Sequence, residues 1–414
     1  MPQQSNKYVT LPKTISKRNF RSFLWHAAFL AMAKNFMDVD TVIPAMLVEA
    51  GGGAIHIGMM TAIMLGGAQF TQLFFAPWLS NKTYKKNYLL FGINTRVLAL
   101  AGLGALLFFL QSRTSGFMLG LMFLFITLFS LTGAFANISY FDILGKSVNP
   151  GKRKTFFSTR QIISGIIVLG AAFLARKILI IRDFPVNYSF MFFIGATLLL
   201  AASLGFWNLK ETVPSTLKIS GIKGFIKVLK KEVRENKQLV WFMGFINTQG
   251  IAVSFLPFVV LYAKEAFGAQ STETGTFLLF KVIGIVFVSA LVLLGAKKLK
   301  YNLLLYSNVF FSLMLGLMPL LITDISLLKY IFVMGGLVYA LYTMTMNGLL
   351  LEISGNENRA LYTGFAGAGN ILPALFPLVG GTIIEVFGFA AFFVLFMVVI
   401  SFAAFFIFKI GCNK

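Results

Sequence analysis

A lysine and an aspartate four residues apart, Lys34 and Asp38, lie within the first long apolar run of the chain. In a helix that spacing places them on one face, within pairing distance. Two readings follow. A buried carboxylate beside a movable cation has a charge that responds to its surroundings, as a gate or a proton-coupling site requires. The same pair also neutralises itself, and so simply lets the segment enter an apolar medium. Asn35 adds a polar group beside them, while Asp40 falls on another face near the end of the run and reads as solvated.

Arg96 and Lys281 sit in two further apolar runs with no acid close in sequence. They either pair with Asp38 across helices or hold an anionic ligand group, arginine through two parallel bonds and lysine as a point charge. Arg96 is also near enough to the start of its run to snorkel. The excess of cations within these runs points to an organic anion as the ligand. Gln69, Asn247 and Asn370 are uncharged candidates by depth in their runs, although each also fits an interhelical hydrogen bond. No Ser/His/Asp set, phosphate-cradling Gly-x-x-x-x-Gly-Lys loop or metal-ligand cluster occurs. The chain reads as a non-enzyme with no catalytic residue, no metal and no cofactor.

The elements that position these residues follow from composition. Of 414 residues, 57% are hydrophobic and 12% charged, against about 25% charged in an ordinary soluble domain. So apolar a chain needs lipid as a partner for much of its surface, because single soluble cores stop growing near ~250–300 residues. The net charge of +22 would suggest nucleic acid in a soluble protein, but here the basic residues cluster in short segments between apolar runs. That is the signature of loops on the inner face of a membrane, and no nucleic-acid partner is expected. The lone cysteine, Cys412, excludes an intrachain disulfide. The first apolar run is long enough to span, so the N-terminus does not read as a cleaved signal peptide.

A crossing helix needs about 20 apolar residues. Twelve candidate spans are legible, at 22–48, 54–79, 87–110, 116–144, 156–181, 187–208, 239–263, 272–296, 302–322, 326–351, 360–385 and 387–409. The expected fold is therefore all-α and integral to the membrane, with twelve transmembrane helices in two pseudo-symmetric six-helix bundles. Residues 1–21 form an N-terminal tail, 22–208 one bundle, 209–238 a linker with a basic amphipathic helix, 239–409 the second bundle and 410–414 a short tail. With the N-terminus inside, Arg113, Arg176, Lys177, Arg182, Lys264 and Lys329 of the 36 lysines and arginines are counted to the outer side, Lys34, Arg96 and Lys281 to the interior of spans, and the other 27, Arg160 at the start of span five among them, to the inner side. The bias requires an even number of spans and puts both termini in the cytoplasm of a plasma or bacterial inner membrane.

The halves repeat in parallel. Lys85-Lys86-Asn87-Tyr88-Leu89-Leu90 after span two matches Lys300-Tyr301-Asn302-Leu303-Leu304 after span eight. Asp142 and Arg153 after span four match Glu352 and Arg359 after span ten, and Pro44 with Glu49 matches Pro257 with Glu265. In this pattern the chain resembles the major facilitator superfamily over nearly its whole length. The family motif G-x-L-a-D-[RK]-x-G-[RK]-[RK] falls on Ala76-Pro77-Trp78-Leu79-Ser80-Asn81-Lys82-Thr83-Tyr84-Lys85-Lys86, which keeps the basic residues and lacks the aspartate and glycines. The antiporter motif G-P-x-x-G-G and an intramembrane arginine in span four are also absent, which separates the chain from drug exporters of that family. The resemblance implies a symporter or antiporter of a small-molecule substrate, working by alternating access, with protons as a coupling partner through Asp38. It also implies that Asp142, Arg153, Glu352 and Arg359 latch the cytoplasmic side. Efflux of amphipathic compounds, or a non-transporting role as a membrane sensor or assembly component, are the alternative readings.

Overall fold

The computed structural model of the chain describes residues 12–109, 116–148, 150–215, 221–295, 301–354, 366–367 and 369–411. Among them there are helices and no strands. In chain order these are α1 (Lys13–Phe36), α2 (Val42–Glu49), α3 (Ala54–Ser80), α4 (Lys86–Phe109), α5 (Gly116–Ser147), α6 (Pro150–Ile181), α7 (Val186–Trp207) and α8 (Gly221–Glu235). Then come α9 (Lys237–Gln249), a 3-10 turn (Gly250–Ser254), α10 (Leu256–Phe267), α11 (Ser271–Gly295), α12 (Tyr301–Leu321), α13 (Ile325–Ser354) and α14 (Ile371–Ile410). Nine candidate membrane spans are present among the described residues, with α9, the 3-10 turn and α10 counted as one.

Three departures from straight helices have local causes. The first apolar run breaks between α1 and α2, where Asp38 Oδ1 accepts hydrogen bonds from Asp40 N at 3.1 Å and Thr41 Oγ1 at 2.8 Å. A short acidic side chain that satisfies nearby donors competes with the helix ladder and ends it. Asp38 is therefore outside α1, and the expected same-helix pairing with Lys34 does not form. The matching run in the second half breaks at the 3-10 turn, where Ser254 Oγ donates to Ile251 O at 2.7 Å. Each break is followed by a proline in the first turn of the next helix, Pro44 in α2 and Pro257 in α10, where a missing amide costs nothing. The third departure is at Gly388 within α14, whose φ of 80° only glycine adopts readily, so α14 is two helices joined at a kink.

α1 packs on α6 and α7, α3 on α5, and α4 on α5 and α7. Beyond α8, α9 packs on α14, α11 on α13, and α12 on α13 and α14. The two groups meet along α3 with α14, α6 with α11, and α2 with α10 and α11. Lipid offers no hydrophobic drive for helix pairing, so close approach through small residues does the work. A β-carbon at Gly381 would meet Ala54 O at 2.6 Å, and one at Gly58 would collide with Pro377 O. Large side chains such as Phe74, Leu98, Phe117 and Leu294 point outward, exposed.

One end of the molecule holds the starts of α1 and α4, the end of α5 and the basic helix α8, and is called the basic end below. α1 begins at Lys13, well before position 22, so the basic run of the N-terminal segment lies on the helix itself. Segment 208–215 also folds back here: Asn19 Nδ2 donates to Lys210 O at 2.8 Å while Lys210 N donates to Asn19 Oδ1 at 2.9 Å. The far end carries Glu49, which accepts hydrogen bonds from Tyr188 Oη at 2.8 Å and Ser271 Oγ at 2.9 Å.

Candidate functional site

Lys281 is the centre of a buried charge cluster in the middle of the bundle. Its Nζ lies 2.7 Å from Asp38 Oδ2 and 2.5 Å from Asp40 Oδ2. The contact joins α11 to the break after α1. It forms because the broken helix turns both carboxylates toward the same lysine, which a continuous helix would not. Of the two cations offered as cross-helix partners of Asp38, Lys281 is the one that pairs with it, whereas Asp40 is buried and ion-paired rather than solvated. Gly336 of α13 lies against the backbone of Lys281 so closely that a β-carbon would collide with its carbonyl. This fixes the height of the lysine. By rise along α11, Lys281 lies about 15 Å from the far end.

Below it sit three further cations. Lys34 has Arg160, Arg96 and Lys281 within electrostatic range, and Asp38 is the acid that faces it. Among the described residues none of Lys34, Arg96 and Arg160 makes a hydrogen bond or an ion pair. Lys34 is exposed although Ala33, Asn35 and Phe36 beside it are buried. Arg96 rises from α4 into a notch of α5, with its guanidinium 4.1 Å from the Phe129 ring centre and against Gly133, and its buried Nε has no partner. Snorkelling of Arg96 to the basic end is thereby corrected: the side chain is held inside by Phe129. Arg160, counted from sequence with the basic loop before span five, is a residue of α6 within range of Lys34, His26 and Tyr140. Sequence reading missed it because the polar first turns of α6 looked like loop.

The uncharged candidates separate. Asn35 Nδ2 donates to Val168 O at 3.3 Å and Ala31 O at 3.4 Å, tying α1 to α6. Asn247 is spent on structure: Nδ2 donates to Gly369 O at 2.7 Å and Oδ1 accepts from Leu372 N at 2.8 Å, so it caps the start of α14. Asn370 is buried near Tyr342 and Gly250, away from the cation cluster. Gln69 has a buried Oε1 without a partner, an acceptor left open in α3.

The latch candidates part company as well. Asp142 pairs with Lys85 at 2.7 Å and Lys146 at 2.9 Å, and accepts from Ser215 Oγ at 2.9 Å. Lys146 also reaches Glu211 at 2.7 Å, and Glu211 accepts from the backbone N–H groups of Lys85 and Lys86. This is a network within the first group of helices and the segment that follows it. The side chains of Arg153 and Glu352, and all of Arg359, lie outside the described residues.

Among the described residues, several contacts that join the two groups run from mid-bundle to the far end. They include Lys281 with Asp38 and Asp40, Arg176 Nε donating to Thr276 Oγ1 at 3.2 Å, Gly58 against Pro377, and Ser271 donating to Glu49. The far end is closed, and the cation cluster lies on the other side of that closure.

The fold has many solved counterparts. A mutant of the nucleoside transporter NupG is 14% identical, with a TM-score of 0.67, covering 96% of this chain and 100% of its own. A POT family transporter in complex with a thioalcohol-conjugated peptide is 12% identical, with a TM-score of 0.66, covering 94% and 96%. A D-xylose–proton symporter is 14% identical, with a TM-score of 0.63, covering 96% and 100%. No curated protein sequence matches the chain. The family model of the Major Facilitator Superfamily matches residues 24–368, and the chain belongs to that family.

Proposed function

We propose that the chain is a secondary active transporter of a small organic anion, working by alternating access between two six-span halves, 22–208 and 239–409. The observation that carries the reading is the set of three cations, Lys34, Arg96 and Arg160, gathered within electrostatic range inside the bundle and, among the described residues, without a hydrogen bond or ion pair. Ions buried without partners are costly, and a bundle keeps such a set where a ligand supplies the missing charge. Twelve crossings follow when α1 with α2 makes one span, α9 with α10 another, and α14 two. The basic loops orient both termini to the cytoplasm of a plasma or bacterial inner membrane. The cluster then faces the cytoplasm while the far end is shut.

Coupling to protons rests on the Asp38–Lys281–Asp40 set. Two carboxylates on one lysine carry a net negative charge, so a proton taken by either aspartate leaves a neutral set. Tyr339 also faces the set from α13. Broken helices beside such groups are a recurrent plan for coupling sites in transporters. Uptake by proteoliposomes tests the reading. A panel of organic anions, cations and neutral solutes is offered under an inward proton gradient and without one. Accumulation of an anion, lost in Lys34→Gln and in Arg160→Gln, is expected. Movement of neutral or cationic solutes alone would overturn it.

A further inference from the structure

A second charged site lies on the outside of the bundle at the basic end. Lys17, Arg21, Trp25 and Phe29 recur every four residues on α1, so they form one stripe. Lys17, Arg21 and Trp25 are exposed. The stripe borders a groove of about 540 Å³ between α1 and the end of α7, lined also by Arg18, Leu204 and Asn208. None of its lining residues is acidic.

The groove is built rather than incidental. Trp25 Nε1 donates to Ala201 O at 2.8 Å, and its ring lies over Gly205, where a β-carbon would sit 2.6 Å from Trp25 Cδ1. The indole is therefore fixed as the floor. Arg18 Nε donates to Asn208 O at 2.6 Å and its guanidinium also bonds Asn208 Oδ1, which anchors that cation on the rim. Along the stripe the chemistry changes in order: two cations, an indole, then Phe29 tilted against the indole with ring centres 4.7 Å apart, and exposed Leu204 and Leu200 opposite on α7. That order is the profile of a phospholipid monolayer from phosphate through the glycerol level to hydrocarbon, and tryptophan favours the middle level. A zwitterionic headgroup would bring an ammonium into a groove that offers it no acid. An acidic headgroup matches all three cations.

We propose that the groove between α1 and α7 binds the headgroup of an acidic phospholipid, with Lys17, Arg18 and Arg21 on its phosphate and Trp25 at its glycerol level. Trp25 itself reports the test. Of the four tryptophans, Trp78, Trp207 and Trp241 are replaced by phenylalanine in the full chain. The protein is reconstituted in vesicles of phosphatidylcholine and phosphatidylglycerol, with bromine on the chains of one lipid or the other at equal mole fraction. Brominated phosphatidylglycerol is expected to quench Trp25 with about fivefold preference, the enrichment that about one basic residue's attraction supplies. Lys17→Gln with Arg21→Gln should bring the preference close to parity. Lys230→Gln with Lys231→Gln, which removes the same charge from exposed positions of α8, should leave it intact. Equal quenching by both lipids in the parent overturns the proposal. So does a control variant that loses the preference as fully as the groove variant, because the attraction is then diffuse. Should the phenylalanine replacements fail to fold, the unaltered chain and its Lys17→Gln, Arg21→Gln variant are compared for phosphatidylglycerol retained through purification. Equal retention has the same force against the site.

Discussion

Lys281 reaches 243 positions back along the chain to Asp38 and holds its Oδ2 at 2.7 Å. The same ammonium holds Asp40, so one cation serves two carboxylates at the break between α1 and α2. Removing it leaves both acids buried without a counter-ion. Breaking a buried pair from one side costs about 3–5 kcal/mol. Lys281→Met is expected to lower the thermal unfolding midpoint in detergent by several degrees. Adding Asp38→Asn and Asp40→Asn should recover most of that loss without recovering proton-driven accumulation. A single Lys281→Met protein as stable as the parent would show that the set carries no such energy.

The two aspartates are not equivalent in this geometry. Asp38 also holds the turn, through Asp40 N and Thr41 Oγ1, whereas the Asp40 carboxylate meets Lys281. Asp38→Asn keeps an oxygen for the turn and removes the charge. It is expected to abolish uphill, proton-driven accumulation while sparing exchange of substrate across vesicles. Counterflow and gradient-driven uptake, measured side by side, separate the two. Unchanged accumulation in Asp38→Asn removes this residue from coupling.

Lys34, Arg96 and Arg160 repel one another within the bundle. Neutralising any one should therefore leave stability equal or higher, the reverse of the usual effect of losing a buried polar group. Ligand binding should weaken in the same variants. A charge-assisted contact contributes about 1.5–3 kcal/mol, which is about 10- to 150-fold in Kd. Thermal unfolding and substrate titration of Lys34→Gln, Arg96→Gln and Arg160→Gln read both quantities. Destabilisation with unchanged affinity would make the cluster structural.

The all-helical, membrane-spanning character of the chain was legible in sequence because it rests on length and hydropathy counted along the chain. The site was legible only in part. Lys34, Asp38, Arg96 and Lys281 stand out as charges in apolar runs, but their partners depend on where helices stop. The Asp38, Asp40, Thr41 cluster is itself the signal for a break, since such side chains compete with the helix ladder. Weighed as an interruption rather than as a helix face, it would have excluded the Lys34–Asp38 pairing and freed Asp40 to meet Lys281. Arg160 lay beyond reach for another reason. A polar turn that continues into a span looks like loop from composition, and only packing against α1 brings it to Lys34. Asn247 shows the converse, since its depth is real but its amide is consumed by Gly369 and Leu372.

Closure of the far end depends on surfaces that touch without side chains between them. A β-carbon at Gly58 would collide with Pro377 O, and one at Gly381 would come 2.6 Å from Ala54 O. Overpacking of such contacts costs about 1–3 kcal/mol. That penalty falls on the closed arrangement alone, so it shifts a two-state equilibrium by about 5- to 150-fold toward opening at this end. Gly58→Ala should therefore lengthen the spin-label distance between positions near Glu49 and Ser271. An unshifted distance distribution would mean that the contact is not specific to this state.

Glu211 lies outside every membrane-spanning helix yet is tied to two of them. Its carboxylate accepts from Lys85 N and Lys86 N, at the start of α4, and pairs with Lys146 near the end of α5. The backbone donors at a helix start have no partner in the helix, so a carboxylate there acts as a cap and also meets the favourable end of the helix dipole. Glu211→Gln keeps an acceptor for the two amides and gives up the ion pair. Glu211→Ala gives up both and leaves Lys146 with Asp142, which Lys85 already shares. The expected order of stability is parent, then glutamine, then alanine. The cap alone accounts for about 0.5–2 kcal/mol of the second step. Hydrogen exchange should localise that step to the first turn of α4, because the lost bonds are those of Lys85 and Lys86. Exchange that accelerates evenly along the chain would instead mean that Glu211 contributes through overall charge, and the network would not be the anchor that holds segment 208–215 to the bundle.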